Sequence, residues 1–428
     1  MKWLYRIIFV PALLIASPYY LWRMIKRGGY RKDFSQRLGF FPLLPPKDSS
    51  RRRLWIQAVS VGEIQAIGPL LRGLKNSGKT EVVLTTTTST GYRLARELYA
   101  ELCLKIGLFP IDFWPCSHIA WGRIQPDAVV LTEGELWPEH LGHAERRHVP
   151  ALLINARLSD KSFRRHQKFN WFTKSLVQKF SWIGAGSEDD ANRLENVGAS
   201  ANRIEVTGNL KFDVPSTGPL SHAEKSKLRE SLGFGQASST VVILGSSTWE
   251  GEETLLLETV KQLRNSGIDT RLLLVPRHAE RHEALMKEIR LSGLSYHQRS
   301  VGGTLAPANT IIHLADTTGE LRTLTPAADL AFCGKSLSPH EGGQTPIDCA
   351  ASGVPLVYGP GMSNFREICR GLEAVGAATK ALDATSAKES LMALAKDEKK
   401  RLQQSQAAVT WHQKNRGATE RTLQKLLS

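Results

Sequence analysis

Residues 60–63 read Ser-Val-Gly-Glu and place a carboxylate, Glu63, where an apolar run ending at Val59 hands over to a helical pattern beginning at Ile64. The carboxyl ends of parallel strands are where open α/β sheets bind ligands. An acid at that point has two readings. It complements the dipole of the helix it opens, or it acts as a general base towards a bound hydroxyl. Other strand ends carry comparable chemistry. Residues 131–139, LTEGELWPE, set Glu133 and Glu135 on either side of a glycine, a spacing suited to sugar hydroxyls or to a base. Residues 85–92, TTTTSTGY, offer hydroxyls and backbone N–H groups to a polar ligand, or cap a helix. Residues 155–165, NARLSDKSFRR, bring Arg157, Lys161, Arg164 and Arg165 beyond another strand end, as a solvated basic face or a site for an anionic substrate.

The second half of the chain reads as a nucleotide site. Residues 245–253, GSSTWEGEE, give a strand end, a hydroxyl-bearing turn and a helix start with Glu250, Glu252 and Glu253. Free N–H groups at a helix start hold phosphates, and Ser246, Ser247 and Thr248 are placed to help. The next strand ends in Arg277, beside His278. Residues 333–360 contain a turn at Gly342-Gly343, a helix expected from Pro346, and Asp348 in its first turn, where a carboxylate accepts both hydroxyls of a ribose or complements the dipole. No Walker A lysine pattern occurs, and no GxGxxG follows the first strand, so ATPase and dehydrogenase readings lack their main support.

These residues need strands and helices to hold them. Apolar runs at 54–59, 81–85, 128–132, 151–155, 182–185 and 203–207 alternate with helical patterns. After a polar, Pro- and Gly-rich stretch at 208–227 the alternation restarts, with runs at 240–245, 271–275, 310–314, 329–334 and 355–359. Such alternation predicts right-handed βαβ units and a parallel sheet in each half. The fold class expected is α/β, two Rossmann-like parallel-sheet domains facing a cleft.

With 428 residues, 41% hydrophobic and 23% charged, the chain suits two domains. Its five cysteines (Cys103, Cys116, Cys333, Cys349 and Cys369) form no CxxC pair, so neither a zinc site nor a disulfide framework is expected, and the reducing cytosol is the simplest home. Of the net charge of +15, residues 1–53 carry +10, next to the most apolar segment, residues 3–22. Aromatic residues sit at both ends of that segment, but Arg6, Pro11 and Pro18 interrupt it. The pattern predicts an uncleaved N-terminal anchor, spanning the membrane or lying in its interface, with Arg23, Lys26, Arg27, Arg31 and Lys32 on anionic headgroups. Because the charge lies beside that anchor, no nucleic-acid partner is expected.

In register along nearly the whole chain run the basic anchor ending in QRLG (36–39), WIQAVSVGE, TTTTSTG, GELWPE, NARLSDKSF, GNLKFD, STWEGEE, LLVPRHAERH, the GE of 319–320, GGQTPIDCAASGVPLVYGP followed by NF, and NRGATE. Together they resemble the Kdo transferases of Gram-negative lipopolysaccharide synthesis, which move 3-deoxy-D-manno-octulosonic acid (Kdo) from CMP-Kdo onto lipid A precursor. The resemblance implies the GT-B architecture, with residues 1–32 as membrane anchor and basic flank and 33–210 as the acceptor-binding domain. Residues 211–400 form the CMP-sugar-binding domain, and 401–428 a helix returning to the first. It implies inverting transfer with Glu63 as general base. Glu135, Arg157 and Lys211 would meet the acceptor, and Ser247, Thr248, Glu250, Arg277, Gly342, Gly343, Asp348 and Asn364 the donor. It implies no metal and no cofactor, and a place on the cytoplasmic face of the inner membrane.

The chain departs from the family pattern on the donor side. Gly342-Gly343-Gln344-Thr345-Pro346-Ile347-Asp348 stands where the family has Gly-Gly-His-Asn-Pro-Leu-Glu. Trp249 stands where it has His, and Lys335 where it has the second glycine of Gly-Gly-Ser. Two alternatives therefore stand beside Kdo transfer: a GT-B transferase of another nucleotide sugar, and a non-catalytic protein that binds lipid A precursor with a decayed donor site.

Overall fold

The computed structural model describes residues 2–27, 33–235, 237, 239–277 and 281–428. It divides into two α/β units, one of residues 1–214 with 415–428 and one of residues 215–414. His278, Arg31 and Lys32 lie outside the described residues.

The first unit is built on seven strands: β1 (Arg52–Gln57), β2 (Thr80–Thr86), β3 (Lys105–Leu108), β4 (Ala128–Thr132), β5 (Ala151–Ala156), β6 (Phe180–Ala185) and β7 (Ile204–Val206). They lie in the order β3-β2-β1-β4-β5-β6-β7, every neighbour parallel. The central strands are buried throughout, as a parallel sheet covered on both faces requires. One face packs on a core around Trp55, Trp121 and Phe180, the other on Leu70, Leu71 and Ile154. The second unit repeats the plan with β8 (Val241–Thr248), β9 (Thr270–Pro276), β10 (Tyr296–Gln298), β11 (Ile312–Leu314), β12 (Leu330–Cys333), β13 (Leu356–Tyr358) and β14 (Ala378–Lys380), in the order β10-β11-β9-β8-β12-β13-β14. The order of connection reverses between β1 and β4 in the first sheet and between β8 and β12 in the second, where β11 is also inserted between β9 and the edge strand β10. Those reversal points are where a crevice opens at the strands' carboxyl ends.

Three strands escape the sequence pattern: β3, β10 and β14. Each is a sheet edge of three or four residues with at least one exposed position, so none shows the apolar run of a strand buried on both faces.

Lys211, expected at the head of the second domain, lies in the first unit, within the 3-10 turn Leu210–Asp213. That turn secures the chain's last helix, Ala418–Leu427. The Asp213 carboxylate accepts Gly417 N–H (2.7 Å) and Thr419 N–H (2.6 Å), and Arg421 Nε donates to the Thr207 carbonyl (2.8 Å). The GNLKFD and NRGATE runs are thus two halves of one clasp.

Residues Lys2–Arg27 form one helix through Pro11 and Pro18. No helix among the described residues is long and apolar enough to cross a membrane. Its early turns grip the first unit through polar contacts. Arg6 makes a two-pronged bond to Glu139 (2.5 and 2.9 Å), and Tyr5 Oη donates to Asp112 (2.8 Å). Asp112 in turn accepts Glu139 N–H and His140 N–H (both 3.1 Å), capping the helix Pro138–Arg146. Ile7, Ile8, Leu14, Ile15 and Trp22 remain exposed.

Replacing Asp213 by Ala strips the final helix of both acceptors. The expected loss is about 1–2 kcal/mol of stability, read as a lower midpoint in thermal unfolding, with the C-terminal helix first to lose amide protection in hydrogen exchange.

Candidate functional site

Glu63 is the third residue of the short helix Val61–Ala66, which starts directly beyond β1. Its main chain and side chain complete a capping box with Ser60: Ser60 Oγ accepts Glu63 N–H (3.3 Å), and Glu63 Oε1 accepts Ser60 N–H (3.2 Å). The dipole reading is therefore part of the truth, but it does not exhaust the residue. Oε1 also takes the Ser60 hydroxyl (2.8 Å), while Oε2 takes Val59 N–H (2.9 Å) and the hydroxyl of Thr132 at the end of β4. Four donors converge on one carboxylate that is 7% exposed.

The residues after β4 face the same spot. Glu133 adopts a left-handed backbone (φ 53°), unusual for a residue with a side chain. Its Oε1 accepts Lys211 Nζ at 2.8 Å. Burial opposes charge on Glu133, but Lys211 and Arg157 outweigh it and hold its pKa below the ordinary value. Glu63 goes the other way: burial raises its pKa, and the negative charge of Glu133 adds to the rise. Glu135 is pushed up to about 8, first by burial and then by Glu63. Three carboxylates thus share a small volume with their affinities for the proton driven apart, the arrangement from which acid and base roles arise. The structure brings together Glu63, Glu135, Arg157 and Lys211, all expected from sequence. Glu133, which the sequence pairs with Glu135, joins them, and the structure adds Thr132, whose part depends on a partner distant in the chain.

Other readings resolve towards structure. Thr88 caps the helix Ser89–Tyr99, and Thr85 accepts Trp55 Nε1, so the threonine run ties elements together. Lys161, Arg164 and Arg165 are exposed on the helix Asp160–Lys168, a solvated basic face.

In the second unit the turn after β8 differs from expectation. Ser246, Ser247 and Thr248 are buried, at 1, 7 and 0% exposure, so Trp249 and the exposed Glu250 form its outer part. Nor are the N–H groups free. The buried carboxylate of Glu252 accepts Trp249 N–H (2.9 Å), Lys335 N–H (2.8 Å), Ser336 N–H (2.9 Å) and Leu337 N–H (3.3 Å), stapling the turn after β8 to the turn after β12. The hydroxyl- and N–H-cradle expected there is filled by the protein's own side chain. Arg277 is exposed just past β9, its N–H on the Thr248 carbonyl (3.1 Å). Gly342 (φ 104°) and Gly343 (φ 70°) hold a left-handed turn closed to other residues. A Cβ on Gly342 would stand 2.7 Å from Asn364 Nδ2, and one on Gly343 2.4 Å from Met362 Sδ. Asp348 opens the helix Ile347–Ala351 and accepts Arg322 Nε (2.9 Å), so any ribose contact shares that carboxylate with an arginine. No group of three or more His, Cys, Asp or Glu able to hold a metal occurs among the described residues.

Residues 32–214 match the family model described as 3-deoxy-D-manno-octulosonic-acid transferase (kdotransferase). A 3-deoxy-D-manno-octulosonic acid transferase of Bordetella pertussis is 32% identical over 425 residues, covering 95% of this chain and 94% of that protein. The enzyme of the same name from Haemophilus influenzae is 28% identical over 431 residues, covering 99% and 98%. Among solved structures, Anabaena Alr3699/HepE in complex with UDP and glucose aligns with a TM-score of 0.60 at 13% identity, over 88% of this chain and 99% of that one, a likeness of fold.

The carboxylate cluster has a stability signature. Glu135 carries a folded-state pKa of about 8 against an ordinary 4.5, so between those values the folded protein binds more protons than the unfolded chain and stability falls as pH rises. Glu135→Gln removes that dependence. Its melting temperature relative to wild type is expected to climb from pH 4.5 to 8 and level off above, as followed by thermal unfolding across a pH series.

Proposed function

The chain belongs to the 3-deoxy-D-manno-octulosonic acid transferase family, a glycosyltransferase that moves Kdo, and on that premise we propose that it takes Kdo from CMP-Kdo to a lipid A precursor with Glu63 as general base. The observation that carries this reading is the placement of Glu63 at the β1/β4 reversal point, desolvated beside Glu133 so that its affinity for a proton is raised. The acceptor's sugar hydroxyl attacks the anomeric carbon of Kdo from the face opposite the phosphate. Its oxygen forms the new C–O bond, its proton passes to Glu63, and CMP leaves with the electron pair of the broken bond. Such proton transfer is typically worth about 10²–10⁴ in rate.

Glu63 already accepts four hydrogen bonds, and that constrains how it works. The N–H groups of Val59 and Ser60 are fixed, but the hydroxyls of Ser60 and Thr132 rotate. Either can turn away as a substrate hydroxyl takes its place, so the carboxylate exchanges one donor for another without moving. Lys211 and Arg157, besides holding Glu133 ionised, supply positive charge for an acidic acceptor. On the donor side Arg277 is the cation for the departing phosphate, and Asp348 with Arg322 the polar pair for the ribose. The chemistry described needs no metal, since the donor carries one phosphate and the chain supplies cations of its own.

The same reading puts the enzyme at the cytoplasmic face of an anionic inner membrane, and the exposed apolar side chains of the N-terminal helix support it. Its exposed Ile7, Ile8, Leu14 and Ile15 lie in the interface, and the basic residues that follow in sequence meet the headgroups.

Glu63→Gln preserves the side chain's shape. It is expected to lower the turnover of Kdo onto tetra-acylated lipid A precursor, measured by mass spectrometry, by about 10²–10⁴ while CMP binding persists. Turnover like wild type would remove Glu63 as the base. An Ile15→Glu change, at a side chain that is 81% exposed, is expected to weaken co-sedimentation with anionic vesicles and leave the melting temperature unchanged.

A further inference from the structure

Two of the residues that depart from the family pattern, far apart in sequence, meet in space. The Lys335 ammonium lies over the ring of Trp249, 4.9 Å from its centroid, and His340 packs beside the same ring at 5.2 Å. A Cβ on Gly342 would stand 3.6 Å from Lys335 Nζ and 2.7 Å from Asn364 Nδ2, so the ammonium reaches the Gly342-Gly343 turn alongside Asn364. No ion pair to Lys335 occurs among the described residues. The side chain is held by a ring face and stands beside the Gly342 turn.

The backbone around it is already committed. The N–H groups of Trp249, Lys335, Ser336 and Leu337 all point at Glu252, Gly342 N–H at the Gly361 carbonyl, and Gly343 N–H at the Lys335 carbonyl. A nest of main-chain donors is the usual receptor for an anion at such a reversal point, and here its donors have partners. An anionic group arriving between β8 and β12 finds those six donors already taken, with the Lys335 ammonium beside them. Lys335 also carries a left-handed backbone (φ 59°), a conformation that a glycine holds without strain and a lysine does not.

From these observations we propose that Lys335, presented on Trp249, is the contact for an anionic group of the donor, either its phosphate or the carboxylate of its sugar. The proposal rests on the reading of the second unit as the donor-binding unit. A cation on an aromatic face keeps its stem ordered and its N–H donors free on the far side, which suits it to a group that enters and leaves. In this chain the pair supplies by side chain what the occupied backbone does not.

The test uses the full-length protein with Lys335→Gly and Lys335→Met, read by calorimetric titration with CMP and with cytidine, by donor KM, and by thermal unfolding. Glycine relieves the backbone and methionine keeps the stem without the charge. A contact to phosphate predicts that both variants lose about tenfold or more in CMP affinity, keep cytidine affinity, and melt within a few degrees of wild type. A contact to the sugar's carboxylate predicts CMP affinity kept and donor KM raised by a similar factor in both. If wild type binds CMP and both variants keep CMP affinity and donor KM within twofold, Lys335 only pins the loop and the proposal is overturned. Wild-type protein that binds neither CMP nor donor would bring down the donor reading itself, and this proposal with it.

Discussion

Two pairs of neighbouring strands, β1 with β4 and β8 with β12, send the chain off in opposite directions, and the proposed chemistry depends on those two reversals. Beyond β1 and β4 the chain leaves in opposite directions, so the carboxyl ends of the two strands stand side by side with nothing crossing between them. Glu63 follows the first and Glu133 the second, and Thr132, the last residue of β4, reaches Glu63 because the strands are neighbours. β8 and β12 repeat the geometry, and there Glu252 joins the two turns. A parallel sheet thus delivers polar residues to one edge and leaves them to be balanced locally. In the first unit Lys211 does the balancing. With Arg157 it keeps Glu133 ionised against burial, so the cluster holds one carboxylate charge beside the proposed base.

Of the seven residues other than glycine with left-handed backbone among those described, four stand at the carboxyl ends of strands, while Gln125, His148 and Asn309 precede strands. Glu133 follows β4, Asn155 lies at the end of β5, Ser247 at the end of β8, and Lys335 just beyond β12. Each such conformation costs of order 1–3 kcal/mol and persists where the surroundings over-determine it. The surroundings here can be named. Asn155 Oδ1 accepts Leu210 N–H (3.0 Å), holding the turn that presents Lys211, and Glu133 is held by Lys211 itself. Gly334 lies so close to the Ser247 carbonyl that a Cβ there would stand 2.3 Å from it. Strain is placed where a side chain must be aimed.

The sheets were legible in sequence because strands buried on both faces leave long apolar runs, and the three that were missed are short edges whose exposed positions break the run. Glu63 was legible as a position and not as a function. Its capping box could be read from Ser60 and Glu63 alone, but the Thr132 hydroxyl and the field of Glu133 arrive from another strand. Glu133 was legible as one of a pair with Glu135, but not its ionised state, because its partner, Lys211, is 78 residues away. Glu252 read as one more acid at a helix start. Its occupation of four N–H groups depends on the turn after β12, which no local pattern announces. Where a residue's role is set by its own helix or strand, the sequence discloses it. Where it is set by the neighbour across a reversal point, the fold has to be present first.

The same dependence ties the proposed membrane contact to the chemistry. Glu133 and Glu135 stand on the loop that runs directly into the helix Pro138–Arg146, and the first turn of that helix is gripped from the other side by Tyr5 and Arg6. Asp112 is wholly buried between the two, its pKa pushed up to about 7 by burial. Few residues therefore separate the N-terminal helix from the carboxylates: a short loop and the first turn of the helix Pro138–Arg146. A helix fixed in the interface would hold Glu133 and Glu135 at a set height above it, and Glu63 with them through Thr132. A soluble acceptor gains nothing from that constraint. A sugar hydroxyl borne by a lipid already has its height set by the bilayer, so rigidity between anchor and base removes one of the searches that proximity would otherwise have to perform.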